Sequence, residues 1–182
     1  MDTALMRTNA LMTFAGTVLA VMAALTASTD YFHQADPAVA VELAKVERLQ
    51  PLERGGSEAY LAFKIDADLR SVFNWNTKLV FVYLGAEYPS RHHAVNKVSM
   101  WDRIVEHRDD AELSLAYVRN KYKLLDREHD LRGLSFNLTL YWNVVPVVGK
   151  LQQYSRTFEG FELPDSYQKV EQMPAAWRNS VV

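Results

Sequence analysis

Residues 60–69 read YLAFKIDADL, and apolar and polar side chains alternate along this segment. Every second position from Leu61 to Leu69 is apolar, while Lys64, Asp66 and Asp68 stand between them. A period of two places successive side chains on opposite faces of an extended chain. The segment therefore predicts a β-strand with one buried face and one exposed face.

Residues 78–88 (KLVFVYLGAEY) are apolar at both odd and even positions, which predicts a central strand covered on both faces. Further strand-like segments are residues 39–43, 97–105, 113–125, 133–145 and 154–163. Turn-forming residues separate them, at Arg54-Gly55-Gly56, Pro89-Ser90, Asp109-Asp110 and Val148-Gly149. Seven short strands with hardly any helical periodicity after residue 30 predict an all-β sandwich.

The N-terminus has a different composition. No charged residue occurs between Arg7 and Asp30, and residues 10–28 are mostly Ala, Leu, Val, Met and Phe. As a helix, residues 8–29 would reach about 33 Å, against about 30 Å for the hydrocarbon core of a bilayer. The sequence therefore predicts one transmembrane helix in front of the sandwich.

A cleaved signal peptide is the competing interpretation of this segment. Small residues that suit a cleavage site occur at Ala24, Ala27 and Ser28. The uncharged run is, however, longer than the usual apolar region of a signal peptide, and Arg7 is the only basic side chain before it. These features favour a retained anchor, although a secreted module released near Ala27 stays as the second hypothesis.

Flanking charges predict the orientation of the anchor. Arg7 and the terminal amine precede the span, whereas Asp30, Asp36 and Glu42 follow it and the next cation is Lys45. Positive charge favours the cytosolic side of a membrane. We therefore expect a cytosolic N-terminus at residues 1–9, a span at 10–29, a sandwich across the membrane at 30–167 and a tail at 168–182.

Composition excludes several functions. A formal net charge of -2 and a pI near 6.2 provide no positive field for nucleic acid. The absence of cysteine excludes disulfides, thiolate metal sites and thiol nucleophiles. No phosphate-binding loop, dinucleotide fingerprint or G-x-S-x-G motif occurs, so we expect neither a cofactor nor a catalytic residue.

Two motifs suggest contacts or modification. Gly16, Ala20 and Ala24 recur every four residues in the span, which would let another helix approach closely, although an alanine-rich helix also shows this spacing by chance. Asn137-Leu138-Thr139 is an N-glycosylation sequon. Strand alternation places Asn137 and Thr139 opposite the apolar side chains, and so predicts an acceptor that faces solvent.

Weaker patterns favour structural interpretations. Asp66 and Asp68 could chelate a cation but are interpreted as a solvated edge, and the Ser166 to Lys169 S-x-x-K match is interpreted as accidental. The histidines at 92, 93 and 107 have no metal-ligand spacing and are expected in surface loops. Trp75, Trp101 and Trp142 lie in or beside predicted strands and are interpreted as packing residues. An enzyme that uses Asp66, Asp68 or Ser166 is a third and minor hypothesis.

Several longer stretches resemble one family in order and spacing from about Met1 to Tyr167. They are FNWNTK (73–78), LGAEY (84–88), WDRI (101–104), LYWNVVP (140–146) and LPDSY (163–167). Together they resemble the signal peptidase complex subunit 3 family, a non-catalytic 22/23 kDa subunit of the endoplasmic reticulum enzyme.

The resemblance implies a single-pass anchor, a short cytosolic N-terminus and a lumenal sandwich that packs against the catalytic subunit. It also implies the other membrane subunits as partners, secretory preproteins as indirect partners, and a glycan at Asn137. Since the family keeps its apolar N-terminus, the resemblance favours an anchor over a cleaved signal. Residues 168–182 extend beyond the similarity.

Overall fold

The computed structural model describes residues 3–53, 55–90, 93–127 and 130–168. Within them, helix α1 (Ala4–Thr29) precedes eight strands. The strands are β1 (Ala38–Pro51), β2 (Ser57–Asp68), β3 (Thr77–Tyr88), β4 (Asn96–Val105), β5 (Glu112–Arg119), β6 (Leu124–Asp126), β7 (Ser135–Pro146) and β8 (Gln152–Glu162). Short 3₁₀ helices lie at Asp30–Phe32, Arg70–Val72 and Arg108–Asp110.

Helix α1 extends away from the strands, and none of its described residues is buried. Alanine, leucine and methionine stabilise a helix, and no proline interrupts the segment. The helix is long and apolar enough to cross a membrane. It ends at Thr29 and begins at Ala4, because residues 4–9 continue the same helical turns.

The strands form two antiparallel sheets. In the first, β2 lies between β1 on one side and β5 and β6 on the other. In the second, the order is β4-β3-β7-β8. This arrangement confirms the all-β architecture with one N-terminal helix, and it confirms that residues 78–88 are central, since β3 lies between two neighbours.

Two strand predictions require correction. The predicted strand at 113–125 is divided into β5 and β6, because the Asn120 side chain accepts a hydrogen bond from the Leu61 N–H and donates to the Tyr122 carbonyl. These bonds replace the regular ladder at this point. The strand predicted at 39–43 extends to Pro51, since register shifts after Leu43 and Val46 hide its alternation.

The core lies between the facing sheets. Leu61, Phe63 and Ile65 of β2 are fully buried, as are Val82, Leu84 of β3 and Leu140 of β7. The polar neighbours Lys64 and Asp66 are half-buried, as the alternation predicts, but Ala62 between Leu61 and Phe63 is also fully buried. Burying each large side chain stabilises the fold by roughly 1.5–3 kcal/mol. Residues 133–168 close the far side of this core through Leu163, whose N–H donates to the Leu134 carbonyl.

The sandwich has two ends. The anchor-side end, next to α1, contains the β2–β3 connection (69–76), the β7–β8 turn (147–151) and the β4–β5 loop (106–111). The far end contains the turns at Gly55-Gly56, Ser90 and Gly133. Gln168, the predicted start of the tail, pairs with Leu49. Residues 169–182 lie outside the described part.

Candidate functional site

The carboxylate of Asp30, directly after α1, joins the helix to the sandwich. Its Oδ1 accepts a hydrogen bond from Nδ2 of Asn74 at 3.1 Å, and its Oδ2 accepts one from Nδ2 of Asn76 at 2.9 Å. Hydrogen bonds to a charged acceptor are typically stronger than those between neutral groups. The end of the helix is therefore tied to the β2–β3 connection, and this set of contacts is called the Asp30 clasp below.

Asn76 extends the Asp30 clasp to a second turn. Its side chain is 1% exposed, donates to the Val148 carbonyl at 2.8 Å and accepts from the Val148 N–H at 3.1 Å. The Val147 N–H also donates to the Asn76 carbonyl at 2.6 Å. One asparagine of the β2–β3 connection thus bonds both to the helix end and to the β7–β8 turn.

The local sequence explains why Asn76 is held in this position. The Asn74 side-chain carbonyl accepts hydrogen bonds from the Asn76 N–H at 2.8 Å and from the Thr77 hydroxyl at 3.0 Å. Asparagine favours such local turns because its short side chain can bond to the backbone two residues ahead. The side chains of both asparagines consequently point inward, toward the carboxylate of Asp30.

The last two turns of α1 also contact the sandwich. Ala23, Thr26 and Ala27 are half-buried, whereas residues 3–22 are exposed. Gly149 approaches the helix closely, since a Cβ atom there would lie 3.4 Å from Cβ of Ala27, and its φ of 125° also favours glycine. The β7–β8 turn therefore lies beside Ala27, below the end of the helix.

The predicted helix-packing residues lie on an exposed face of α1. Gly16, Ala20 and Ala24 are exposed, and a Cβ atom at Gly16 would meet nothing within 4 Å. Within the described chain no other element covers this stripe. Its use by a second helix stays a prediction.

The three tryptophans have two different environments. Trp101 and Trp142 are 4% and 7% exposed, which confirms their packing role. For Trp75 that interpretation was wrong, because its side chain is 69% exposed. It lies between Asn74 and Asn76, whose side chains occupy the interior of the turn, so Trp75 points outward. The only signal in the sequence was this N-W-N spacing.

The outer face of the second sheet carries an aromatic cluster. Tyr83 and Tyr141 stack with ring centroids 4.6 Å apart, and Phe81 adjoins Tyr83 at 5.6 Å. The Tyr141 hydroxyl donates to the Glu87 carboxylate, which also pairs with Lys97 at 3.0 Å. Burial alone would raise the pKa of Glu87, but the hydrogen bonds from Tyr141 and Lys97 outweigh it and lower that pKa.

Asn137 lies on the same outer face, opposite Glu87 and toward the far end. Asn137 is half-buried, as is Tyr141. The sequence predicted an acceptor that faces solvent, and in the structure neighbouring residues partly cover it. Thr139 shares the predicted face but is 2% exposed, and its hydroxyl lies 3.0 Å from that of Thr157. Neighbouring strands on both sides of β7 explain this burial.

The candidate carboxylates are paired with cations. Asp68 contacts Arg70 at 2.6 Å, and the side-chain and backbone hydrogen bonds from Arg70 lower the pKa of Asp68 to about 2. Asp66 accepts a hydrogen bond from Ser114 and lies 3.4 Å from Lys64. Both aspartates are on β2, a central strand, so they form a solvated face and the interpretation as a sheet edge was wrong.

The remaining candidates do not converge on one site. Among the described residues, no group of three or more His, Asp or Glu side chains could hold a metal ion. His93 and His107 are exposed in loops, as predicted, and Ser166 is exposed in a bend. His92 and Lys169 lie outside the described residues.

Comparison with known proteins identifies the family. A family model described as signal peptidase subunit matches residues 1–166. The chain belongs to the signal peptidase subunit family. This match includes α1, the Asp30 clasp and all eight strands.

Individual members of the signal peptidase subunit family align over nearly the whole chain. Signal peptidase complex subunit 3 of Gallus gallus is 36% identical over 179 residues, covering 92% of this chain and 97% of the relative. The Homo sapiens protein of the same name is 35% identical with the same coverage. The Yarrowia lipolytica protein of that name is 42% identical over 98 residues, covering 53% of each chain.

Proposed function

We propose that this protein is a non-catalytic accessory subunit of the endoplasmic reticulum signal peptidase complex. The observation that supports this most strongly is the alignment with proteins named signal peptidase complex subunit 3 over 92% of the chain. In this role it supports a separate catalytic subunit that removes N-terminal signal peptides from nascent secretory and membrane proteins.

Residues 10–29 serve as a retained signal-anchor in this proposal. The Asp30 clasp and the contact between Gly149 and Ala27 support it, because cleavage near Ala27 would remove a helix face that packs on the sandwich. Charge on the two sides of the span supports a cytosolic N-terminus and a lumenal sandwich.

A scaffolding role suits the arrangement of polar side chains. Asp66 and Asp68 are neutralised by Lys64 and Arg70 and share an exposed face, rather than lining a closed cleft. A rigid sandwich can position a neighbouring enzyme and extend its binding surface without providing reacting groups. The proposed partners are the catalytic subunit and the other membrane subunits of the complex.

The small-residue stripe at Gly16, Ala20 and Ala24 is proposed to contact a membrane helix of another subunit. Its exposure in the isolated chain supports this role. Replacing Gly16 and Ala20 with leucine should reduce copurification of membrane subunits, since the added side chains would separate the helices. Val21→Leu, a bulkier substitution that leaves the stripe intact, is the matched control.

Asn137 is proposed to carry an N-linked glycan. Because Thr139 is buried between β3 and β8, the sequon would be modified before β7 is packed. Asn137 is nine residues from Pro146, so the glycan would lie about 30 Å from the anchor-side end of β7. Loss of a glycosidase-sensitive mobility shift in Asn137→Gln tests this assignment.

Copurification tests the proposed function. The full-length protein is isolated in mild detergent, and the catalytic signal peptidase subunit should copurify. Depletion of the protein should cause uncleaved preproteins to accumulate, and restoration should reverse the defect. Normal processing without the protein, together with no copurifying peptidase, would contradict the proposal.

Alkaline carbonate extraction separates this proposal from the secreted module. A retained anchor leaves the protein in the membrane pellet, whereas a module cleaved near Ala27 is released into the supernatant. Mass measurement of the N-terminus distinguishes cleavage from loose attachment.

A further inference from the structure

An exposed apolar surface surrounds the base of the helix. Its members are Tyr31 and Phe32, directly after α1, Trp75 in the β2–β3 connection, and Val147 and Leu151 in the β7–β8 turn. They are 88%, 85%, 69%, 65% and 49% exposed, respectively. These five residues are called the basal patch below. Their exposure is costly in water, since each large apolar side chain that stays hydrated forfeits roughly 1.5–3 kcal/mol.

Hydrogen bonds place the basal patch at one level. Trp75 stands between Asn74 and Asn76, which both bond to Asp30, and Val147 donates its N–H to Asn76. These connections hold the patch beside the end of α1, although its first and last members, Tyr31 and Leu151, are 120 residues apart in sequence.

The helix defines the depth of this level. The 26 residues of α1 span about 39 Å, more than the roughly 30 Å of a hydrocarbon core. Gly149 reaches alongside Ala27, so the β7–β8 turn extends below the end of the helix toward its apolar part. A bilayer crossed by α1 would therefore meet the basal patch in its interfacial region.

The chemistry of the basal patch suits that region. Tryptophan and tyrosine concentrate at membrane interfaces, where an apolar ring and a polar atom are both accommodated. The charged β4–β5 loop (106–111) lies at the opposite side of the same end, where β4 continues into β5. This asymmetry would tilt the sandwich so that its β1 and β8 side is closer to the lipid.

We propose that the basal patch is a lipid-binding surface that inserts into the headgroup and upper acyl region of the bilayer. This inference rests on the proposed retention of α1 as an anchor. Insertion would attach the sandwich to the membrane at a second point, in addition to the helix. The Asp30 clasp would hold these two points in a fixed position relative to each other. The sandwich would then have a fixed height and tilt above the membrane.

Single-cysteine labelling tests the proposal, since the natural chain contains no cysteine. The full-length Val147→Cys protein is labelled with an environment-sensitive fluorophore and reconstituted into phosphatidylcholine vesicles. Val95→Cys is the matched control, because Val95 is a similarly exposed valine (56%) in the turn before β4 at the far end. Nitroxides at defined depths on the lipid quench fluorophores that lie within the bilayer.

Shallow nitroxide lipids should quench the label at 147, and aqueous iodide should quench the label at 95. Equal iodide quenching at both positions would overturn the proposal. Shielding of position 147 from iodide and from nitroxide lipid alike would also overturn it, since it would show that protein covers the patch.

A label at Leu19 distinguishes failure of this inference from failure of the anchor. Leu19 lies within the proposed span and is 70% exposed. Quenching of Leu19→Cys by deep nitroxides with no lipid quenching at 147 would contradict the basal patch alone. No lipid quenching at position 19 would contradict the anchor itself. Trp75→Cys provides a second position in the patch, with the same expected result as Val147→Cys.

Discussion

The two ends of the sandwich are closed in different ways. At the anchor-side end, the Asp30 clasp joins three separate segments through side chains, and large apolar residues surround it. At the far end, glycines with positive φ close the turns, at Gly55, Gly56 and Gly133. Charged and polar groups lie beside them, including the Asp130 carboxylate paired with Arg132.

This difference separates two requirements. The far end reverses the chain, and glycine turns, the local Asp130–Arg132 pair and hydrogen bonds among Ser57, Asp130 and Tyr167 close it. The anchor-side end must also bind a helix that belongs to another environment, and long-range hydrogen bonds provide that connection. The predictions below disturb each end in turn.

The largest effect is expected from Gly56→Ala at the far end. Gly56 has a φ of 81°, and a Cβ atom there would lie 2.1 Å from the backbone oxygen of Asp126. Strain and the collision together should lower the free energy of unfolding by about 3 kcal/mol or more. Denaturant unfolding in detergent, followed by fluorescence of the buried tryptophans, measures the change.

Gly160→Ala is the control for Gly56→Ala. Gly160 has a φ of 88°, but a Cβ atom there would meet nothing within 4 Å. Backbone strain alone should cost about 1 kcal/mol. An equal decrease in the free energy of unfolding in the two variants would show that movement of the turn has relieved the collision at Gly56.

Asn76→Ala is expected to have the next largest effect, at the anchor-side end. The variant removes hydrogen bonds to Asp30 and to both backbone groups of Val148. A loss of about 2–3 kcal/mol in the free energy of unfolding is expected, because a buried multi-partner amide is removed. Asn96→Ala, at the far end, removes a single 3.4 Å contact to the Tyr88 carbonyl and should cost under about 1 kcal/mol.

Asp30→Ala should loosen the helix with a smaller effect on the sandwich. The amides of Asn74 and Asn76 lose their shared acceptor, but the Asn76 bonds to Val148 stay. We expect a cost of about 1 kcal/mol and a broader distance distribution between spin labels at positions 19 and 95. Asp36→Ala, an exposed aspartate shortly after the helix, should leave the distribution narrow. Unchanged widths in both variants would contradict the clasp.

The smallest effect is expected on stability at acid pH, and it arises from Glu58 at the far end of β2. Glu58 is 5% exposed and accepts a hydrogen bond from Lys123 at 2.6 Å. The Lys123 hydrogen bond, helped by Gln50 and opposed by burial, lowers the pKa of Glu58 below its ordinary 4.5. A lowered folded-state pKa stabilises the protein above the unfolded-state pKa, and this stabilisation is lost as the pH falls through the folded-state value.

The unfolding temperature should therefore fall as the pH decreases below about 4.5. Glu58→Gln should be less stable at pH 7, and its unfolding temperature should depend less on pH in the acid range. Lys64→Ala, which removes exposed ion pairs with Glu42 and Asp66, should leave the acid dependence almost unchanged. An acid dependence in Glu58→Gln as steep as that of the natural protein would contradict this assignment.

Much of the fold could be predicted because alternation reports directly on burial. The segments at 60–69 and 78–88 lie in β2 and β3, and the apolar N-terminal run forms α1. The division of β5 from β6 was missed because Asn120 completes the backbone bonding of a strand from elsewhere in the chain. The sequence around Asn120 gives no indication of this contact with Leu61.

The interaction sites were less predictable than the strands. Trp75 and Trp142 have the same side chain beside similar strands, yet one is exposed and the other buried, because the partners of Asn74 and Asn76 are distant in sequence. The burial of Thr139 likewise depends on β8, through Thr157. Hydrogen bonds across the sandwich determine these positions, and alternation within one strand does not reveal them.

The Asp30 clasp also fixes which face of α1 is turned toward the sandwich. Ala23, Thr26, Ala27 and Asp30 mark the line along which the helix meets the sandwich. At about 100° per residue, the centre of the stripe formed by Gly16, Ala20 and Ala24 is rotated about 70° from that line. A neighbouring helix seated in the stripe would therefore emerge from the bilayer beneath the flank of the sandwich. Any rotation of α1 about its axis would then turn the sandwich by the same angle.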